Sequence, residues 1–100
     1  MTPTAILMIK RIEYTKIFLR NWKRLKKKHY DSSRMKQAIA LIAAEDHDAL
    51  VRQFKWHMLK GDKTGINEIH LDANWLLLYE VTSEDEITLL ILNTGSHDML

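Results

Sequence analysis

The sequence predicts an α+β fold, in which an N-terminal strand and an antiparallel helical hairpin pack on a mainly antiparallel sheet. Three observations predict it. Apolar residues in the first half recur with a helical period, whereas short runs of β-branched, leucine and aromatic residues dominate after Gly65. The chain has 100 residues, 46% of them apolar, which suits a single core. Three glycines and one proline leave little room for an interdomain linker.

The first predicted elements are a strand and a basic helix. Residues 9–14 resemble a strand in composition, and the hydroxyl of Thr15 can cap a helix that follows. One apolar face of this helix is formed by Phe18, Trp22, Leu25 and His29. We expect residues 1–7 to be a flexible extension and residues 8–100 to form the domain.

A second helix and three strands complete the prediction. Asp31 starts a helix that ends near Ala44, and about three residues separate it from the first helix, which favours a hairpin. The predicted strands are residues 66–71, 75–81 and 87–92. Residues 75–79 are apolar on both faces, as expected for a central strand covered by helices. The predicted order is β-α-α-β-β-β.

Composition excludes several classes of protein. The chain has no cysteine, which excludes a disulfide scaffold, a thiolate zinc site and a cysteine nucleophile. The longest apolar run, residues 38–44, is far shorter than the roughly 20 residues that span a bilayer. Nucleotide-binding glycine motifs and the H-E-x-x-H zinc motif are absent from the sequence. We therefore expect a cytoplasmic protein with no membrane partner and no cofactor, and no known metal motif predicts a metal site.

Charge is divided unevenly along the chain. Residues 1–37 hold 11 Lys and Arg against 2 Asp and Glu, whereas residues 38–100 hold 4 against 11. Such a basic segment is often a solvated surface, and it can also bind RNA phosphates or an acidic protein. The candidate nucleic-acid-binding residues are Lys16, Arg20, Lys23, Arg24 and Lys27.

Three histidines in the second half of the chain are the candidate catalytic residues. His57 precedes the strands, His70 ends the first of them, and His97 follows the last. If the strands are neighbours in order, His70 faces Trp75 near one end of the sheet, and His97 returns toward that end. Each histidine could instead be structural, and Trp75 could belong to the core.

Two uses of the histidines remain open. They could hold zinc, with Glu68 or Asp72 as supporting acceptors. They could instead act as acid and base in metal-free phosphoryl transfer on RNA, aided by Lys55, Lys60 or Lys63. Base-stacking candidates are Tyr14, Trp56 and Trp75, with core packing as the alternative for the tryptophans.

Four segments, in order, carry a resemblance to a known family. They are YTK at 14–16 leading into WKRLK at 22–26, HMLKG at 57–61, EIHLDANWLLLY at 68–79, and NTGSH at 93–97. Together they resemble the YafQ branch of the RelE/ParE superfamily of bacterial type II toxins, over about residues 8–100. The resemblance implies a RelE-like fold of a helical hairpin on an antiparallel sheet.

The resemblance also implies a function. Members of this branch are ribosome-dependent mRNA endonucleases that use the 2′-hydroxyl as the attacking group and need no metal. They are neutralised by an antitoxin, expected here to be of the ribbon-helix-helix type, and the pair commonly binds its own operator DNA. The implied partners are therefore an antitoxin, the ribosome with its mRNA, and operator DNA.

Site residues follow from the resemblance position by position. His57, His70 and His97 match the catalytic histidines, and Trp75, Asn74 and Lys60 are expected to position the substrate. Asn74 stands where aspartate is usual and Asn93 where arginine is usual, so the nuclease activity is expected to be weakened. Two alternatives stay open: a RelE-fold binding protein that acts as antitoxin partner or co-repressor, and a ParE-type gyrase inhibitor.

Overall fold

A computed structural model describes residues 9–63, 65–82 and 88–96. Helices dominate the first half of the chain and strands dominate the second half. The elements are β1 (Arg11–Tyr14), α1 (Lys16–Lys27), α2 (Ser32–Ala43), α3 (His47–Phe54), β2 (His57–Met58), a 3-10 turn (Gly61–Lys63), β3 (Asn67–Asp72), β4 (Trp75–Thr82) and β5 (Thr88–Gly95). The predicted extension, residues 1–7, lies outside the described residues.

The five strands form one sheet in the order β1-β5-β4-β3-β2. β1 and β5 are parallel, and the other three pairings are antiparallel. The predicted α+β class and the mainly antiparallel sheet are therefore confirmed. The order differs from the prediction by one additional helix, α3, and one additional short strand, β2.

Both predicted helices are confirmed, with their caps. The Thr15 hydroxyl accepts a hydrogen bond from Phe18 N at 3.0 Å and donates one to the Leu92 carbonyl of β5 at 2.6 Å. This ties the start of α1 to the sheet. Asp31 caps α2 by accepting from Ser33 N at 2.9 Å. His29 is not part of the apolar face, because α1 ends at Lys27 and His29 lies exposed with a φ of 67°.

α3 is not among the predicted elements, because its eight residues are too few for an extended periodic pattern. Asp46 caps it by accepting from Ala49 N at 3.2 Å, and Leu50 and Phe54 are buried one turn apart. Lys55 ends the helix in the left-handed conformation, with a φ of 51°. The chain then turns into β2, whose two residues are too few for an alternating pattern.

The described helices cover one face of the sheet. Phe18, Met35 and Leu50, one from each helix, share a core cluster with β-strand residues that include Leu77 of β4. Leu76 is also buried, but it alternates to the opposite face. The prediction that helices cover both faces of the central strand is therefore wrong for the described residues. No helix among them has the length and apolar character that crossing a membrane requires.

Candidate active site

Strand register brings two histidines to one carboxylate. His57 of β2 lies directly opposite Glu68 of β3, and His70 lies two residues beyond Glu68 on the same face of that strand. His57 Nε2 is 2.8 Å from Glu68 Oε1, and His70 Nε2 is 3.8 Å from the same oxygen. The two imidazole rings are 5.8 Å apart between centroids.

The pair of imidazoles is open to solvent while the carboxylate is largely enclosed. Side-chain exposure is 48% for His57 and 24% for His70, against 16% for Glu68. His57 Nδ1 lies 3.3 Å from the Lys55 carbonyl oxygen. Both ring nitrogens of His57 therefore face oxygen atoms, and these two contacts orient the ring. The arrangement is suited to holding positive charge and moving protons at the surface of the sheet.

The same three side chains could also ligate a metal. One ligand atom each from His57, Glu68 and His70 can be chosen so that all lie within 4.8 Å of one another. Two imidazole nitrogens and a carboxylate oxygen suit zinc or copper. This set differs from the three-histidine site considered from the sequence, because a carboxylate takes the third place.

His97 lies outside the described residues. The described chain does return to the predicted end of the sheet, because Gly95 of β5 pairs with Leu76, which in turn pairs with His70. Two strand spacings separate Gly95 from His70, or about 10 Å. The role of His97 stays a prediction.

Trp75 does not face His70. Leu76 is the residue opposite His70, and a bulge after His70 pairs Trp75 with Asp72 instead. Trp75 is 3% exposed, and its indole nitrogen donates to Thr94 Oγ1 at 3.0 Å. It also stacks on Trp22, with ring centroids 5.8 Å apart. Direct stacking of a base on its ring faces is therefore not available, and the core interpretation describes this tryptophan.

The other stacking candidates differ in exposure. Trp56 is half-buried and donates from its indole nitrogen to Asn67 Oδ1 at 3.1 Å. Tyr14 is 44% exposed and lies against Phe18, on the helical side of the molecule. Trp56 directly precedes His57 in the chain, whereas Tyr14 lies on β1, at the opposite edge of the sheet from β2.

Asn74 and Lys60 both lie at the surface. Asn74 is exposed in the β3–β4 turn, and Lys60 is exposed just after β2. Asn93 is structural, because its Oδ1 accepts from Asn21 Nδ2 at 2.7 Å and from Thr94 N at 2.8 Å. That amide therefore joins β5 to α1.

The basic face of α1 is exposed and lies apart from the histidines. α1 packs mainly against β5, whereas the histidines lie on β2 and β3 at the other side of the sheet. All five cations predicted from the sequence are exposed, and Lys26 of the same helix is exposed as well: Lys16, Arg20, Lys23, Arg24 and Lys27 are the predicted five. Binding of a polyanion and proton transfer would therefore use different surfaces.

Glu68 is more than the outer acceptor for a zinc site that the sequence predicts, because it contacts both histidines directly. Its position two residues before His70 in a strand already predicts a shared face. The contact with His57 could not be found that way, because it depends on the register of a two-residue strand.

The sequence matches a known protein family, in agreement with the fold and the order of the motifs. The family described as "Bacterial toxin of type II toxin-antitoxin system, YafQ" matches residues 10–100. The chain belongs to the YafQ toxin family. It is also 30% identical over 94 residues to the mRNA interferase toxin YafQ of Escherichia coli (strain K12), covering 93% of this chain and 98% of that protein.

Solved structures of related toxins have the same fold. The E. coli DinJ-YafQ toxin-antitoxin complex matches with a TM-score of 0.78 and 28% identity, covering 93% of this chain and 97% of that chain. A metal-bound toxin from Helicobacter pylori matches with a TM-score of 0.80 and 32% identity, covering 90% and 97%. The predicted RelE-like fold and the resemblance to YafQ toxins are confirmed.

Proposed function

We propose that this YafQ-family chain is an mRNA interferase that cleaves mRNA on the ribosome through metal-free attack of a ribose 2′-hydroxyl. The observation that carries the proposal is the contact of His57 and His70 with one carboxylate oxygen of Glu68, at 2.8 and 3.8 Å. Relatives named mRNA interferase toxins support the substrate class.

The mechanism assigns one step to each group. His70 accepts the proton of the 2′-hydroxyl as its oxygen attacks phosphorus, and the bond from phosphorus to the 5′-oxygen breaks. Glu68 stabilises the imidazolium that forms on His70, as a carboxylate does beside a catalytic histidine. His57, which is held between two oxygens, stabilises charge on the phosphate. His97 is assigned the role of general acid, which donates a proton to the leaving 5′-oxygen.

The partners are assigned by the same family membership. The toxin in the DinJ-YafQ complex is bound by its antitoxin, which supports a cognate antitoxin for this chain. Ribosomal RNA would be bound by the exposed cations of α1, because their contacts with phosphates need no particular sequence. Operator DNA would be bound by the toxin together with its antitoxin.

Added metal separates metal-free catalysis from metal-dependent catalysis. A metal held by His57, Glu68 and His70 would occupy the nitrogens that the proposed mechanism needs for proton transfer. We therefore expect stoichiometric Zn²⁺ to inhibit cleavage, and a chelator to leave cleavage by metal-stripped protein unchanged. Loss of activity on chelation, restored by Zn²⁺, would contradict the metal-free mechanism.

The proposal is tested with purified chain, ribosomes and a defined mRNA. We expect cleavage of the ribosome-bound message and much slower cleavage of the same RNA alone, measured by primer extension. His70→Gln should lower the rate by about 100-fold or more, since the general base is lost. His47→Gln is the matched control, because His47 is exposed at the start of α3 and its ring lies against Trp56 instead of Glu68.

Two outcomes would point to the alternatives. Antitoxin binding by wild-type protein that cuts no message would favour a binding protein or co-repressor weakened at Asn74 and Asn93. Inhibition of gyrase in a supercoiling assay, unaffected by His70→Gln, would favour a ParE-type function. Either result would overturn the proposed nuclease activity.

A further inference from the structure

A cavity of about 540 Å³ lies beside the proposed active site and has no role in the mechanism above. It opens between the α1–α2 connection and the β3–β4 turn. Its walls include Lys28, His29, Tyr30 and Arg34 on one side and Asn74 and Trp75 on the other. Cationic, aromatic and amide groups thus surround one space of nucleotide size.

Arg34 is the fixed cation of this cavity. Its Nε donates to the Leu71 carbonyl of β3, and its guanidinium lies over the Phe54 ring at 4.8 Å from the centroid. Within the described part of the chain, its two terminal nitrogens make no other hydrogen bond or ion pair. A guanidinium held in this way can present both terminal nitrogens to a phosphate without much loss of entropy.

The cavity is continuous with the histidine site. A second cavity, of about 260 Å³, is lined by His70 and Lys55 and shares Arg34 and Asp72 with the first. Asp72 lies two residues beyond His70 in β3, which is about 7 Å along the strand. An extended strand of RNA with its scissile phosphate at His70 would therefore reach Arg34 and the larger cavity within about one nucleotide.

Two acids also line the larger cavity, but each is bonded to nearby backbone. Asp31 Oδ1 accepts from Ser33 N at 2.9 Å and from Ser33 Oγ at 2.6 Å. Asp72 Oδ1 accepts from Ala73 N at 2.8 Å. These hydrogen bonds hold both carboxylates at the connection and the turn, so the cavity has two acids beside its two cations, Lys28 and Arg34.

The aromatic groups give the cavity a rigid wall. Trp75 is buried and held by Thr94, and Tyr30 meets it edge to face, with centroids 5.0 Å apart and planes at 88°. Tyr30 is half-buried and His29 is exposed, so both keep surface on which a base can stack. Asn74 carries an amide that can donate to and accept from a base edge.

We propose that this cavity binds the nucleotide next to the scissile bond, with its base against Tyr30 and His29 and its phosphate on Arg34. The inference rests on the RNA substrate of the proposed function and adds a subsite to it. Arg34 is here a binding and positioning residue, because it does not touch the reacting 2′-hydroxyl.

Photocrosslinking tests the subsite directly. Ribosomes are programmed with mRNA that carries 4-thiouridine at one position of the A-site codon at a time, and a 2′-deoxynucleotide at the cut site prevents cleavage. After irradiation with the full chain, crosslinked peptides are identified by mass spectrometry. We expect one position to crosslink to residues 28–31. Crosslinks confined to other parts of the chain would overturn the inference.

Matched variants test whether the yield of the crosslink depends on the positive charge of Arg34. Arg34→Gln should lower its yield about tenfold, since a charge-assisted contact with phosphate is lost. Lys36→Gln, two positions along the same helix and outside this cavity, should leave the yield unchanged. Lys28→Gln and His29→Asn are exposed substitutions that test the subsite even if Arg34→Gln unfolds, and asparagine tolerates the positive φ of His29.

Three results distinguish this inference from the proposed function. Wild-type cleavage without a crosslink to residues 28–31 would leave the nuclease intact and overturn the subsite. A crosslink to residues 28–31 without wild-type cleavage would support the subsite and overturn the nuclease. Weaker antitoxin binding by Arg34→Gln, with an unchanged crosslink, would assign the cavity to the antitoxin and overturn the RNA subsite.

Discussion

Glu68 is the residue around which the candidate chemistry is arranged. It is the least exposed member of its group, and both imidazoles contact one of its oxygens. The charge of an enclosed carboxylate acts more strongly on a neighbouring proton transfer than that of an exposed one, because water screens it less. Proton transfer at His70 should therefore depend on the charge of Glu68 as well as on its shape.

Glu68→Gln tests that dependence. The amide keeps the size of the side chain and can still accept a hydrogen bond, but it cannot stabilise an imidazolium by charge. We expect ribosome-dependent cleavage to fall about 10- to 100-fold, measured under single-turnover conditions. The melting temperature should stay close to that of the wild type.

Glu80→Gln is the matched control for this change. Glu80 is a partly exposed carboxylate on β4 of the same sheet. It should cleave at the wild-type rate. Equal loss of activity in the two variants would show that sheet charge in general, and not Glu68, controls the reaction.

At the scale of single residues, the sequence predicted histidine positions better than side-chain directions. His57 and His70 lie close together, each near the same oxygen of Glu68, and their catalytic roles stay a prediction. Trp75 faces the helices instead, because the bulge after His70 changes the register of the β3–β4 turn. A bulge depends on how two strands pair, and a single segment does not contain that information.

Among the elements, those with strong local signals were predicted correctly. α1 and α2 have a capping side chain and an apolar face, and both lie where their sequence places them. α3 lacks a long periodic pattern, and its burial depends on β3 and α2, to which it packs. β2 consists of two residues whose strand geometry comes from pairing with β3. The formation of both α3 and β2 therefore depends on tertiary contacts.

The cap of α1 links element stability to the sheet. The Thr15 hydroxyl bonds both Phe18 N and the Leu92 carbonyl. Thr15→Ala should lower the free energy of unfolding by about 1–2 kcal/mol in urea denaturation, because both contacts are lost. Thr15→Ser keeps the hydroxyl and should recover most of that loss. A serine variant as unstable as the alanine variant would exclude the hydroxyl as the cause.

On the scale of the whole molecule, the basic surface of α1 and the candidate active site lie apart. The exposed cations of α1 lie over β5, and the histidine pair lies on β2 and β3. Several acids of the second half, including Glu45, Asp46 and Asp62, are exposed outside the strands. Glu68 differs from them, because it lies on β3 in contact with both histidines.

A buried tyrosine of the core, Tyr79, should make the free energy of unfolding depend on pH in the alkaline range. Burial raises the pKa of Tyr79 to about 12, above its ordinary value of 10.0. The unfolded chain therefore loses this proton first, so stability should be complete below pH 10 and fall as pH rises toward 12. A shift of this size corresponds to roughly 2–3 kcal/mol.

Urea denaturation between pH 9 and pH 12 measures this loss, with Tyr79→Phe as the comparison. The phenylalanine variant lacks the ionisable hydroxyl, so its stability should fall less over that interval. Parallel pH profiles for the two proteins would contradict a contribution from Tyr79.

Attack by the 2′-hydroxyl at a site formed by His57, Glu68 and His70 is the step on which the proposed function depends most. The decisive measurement compares a ribosome-bound message with the same message carrying a 2′-deoxynucleotide at the cut position. We predict a 2′,3′-cyclic phosphate and a 5′-hydroxyl at the cut in the first, and no cut at that position in the second. A cut that persists in the deoxy message, or leaves a 3′-hydroxyl and a 5′-phosphate, would contradict the account.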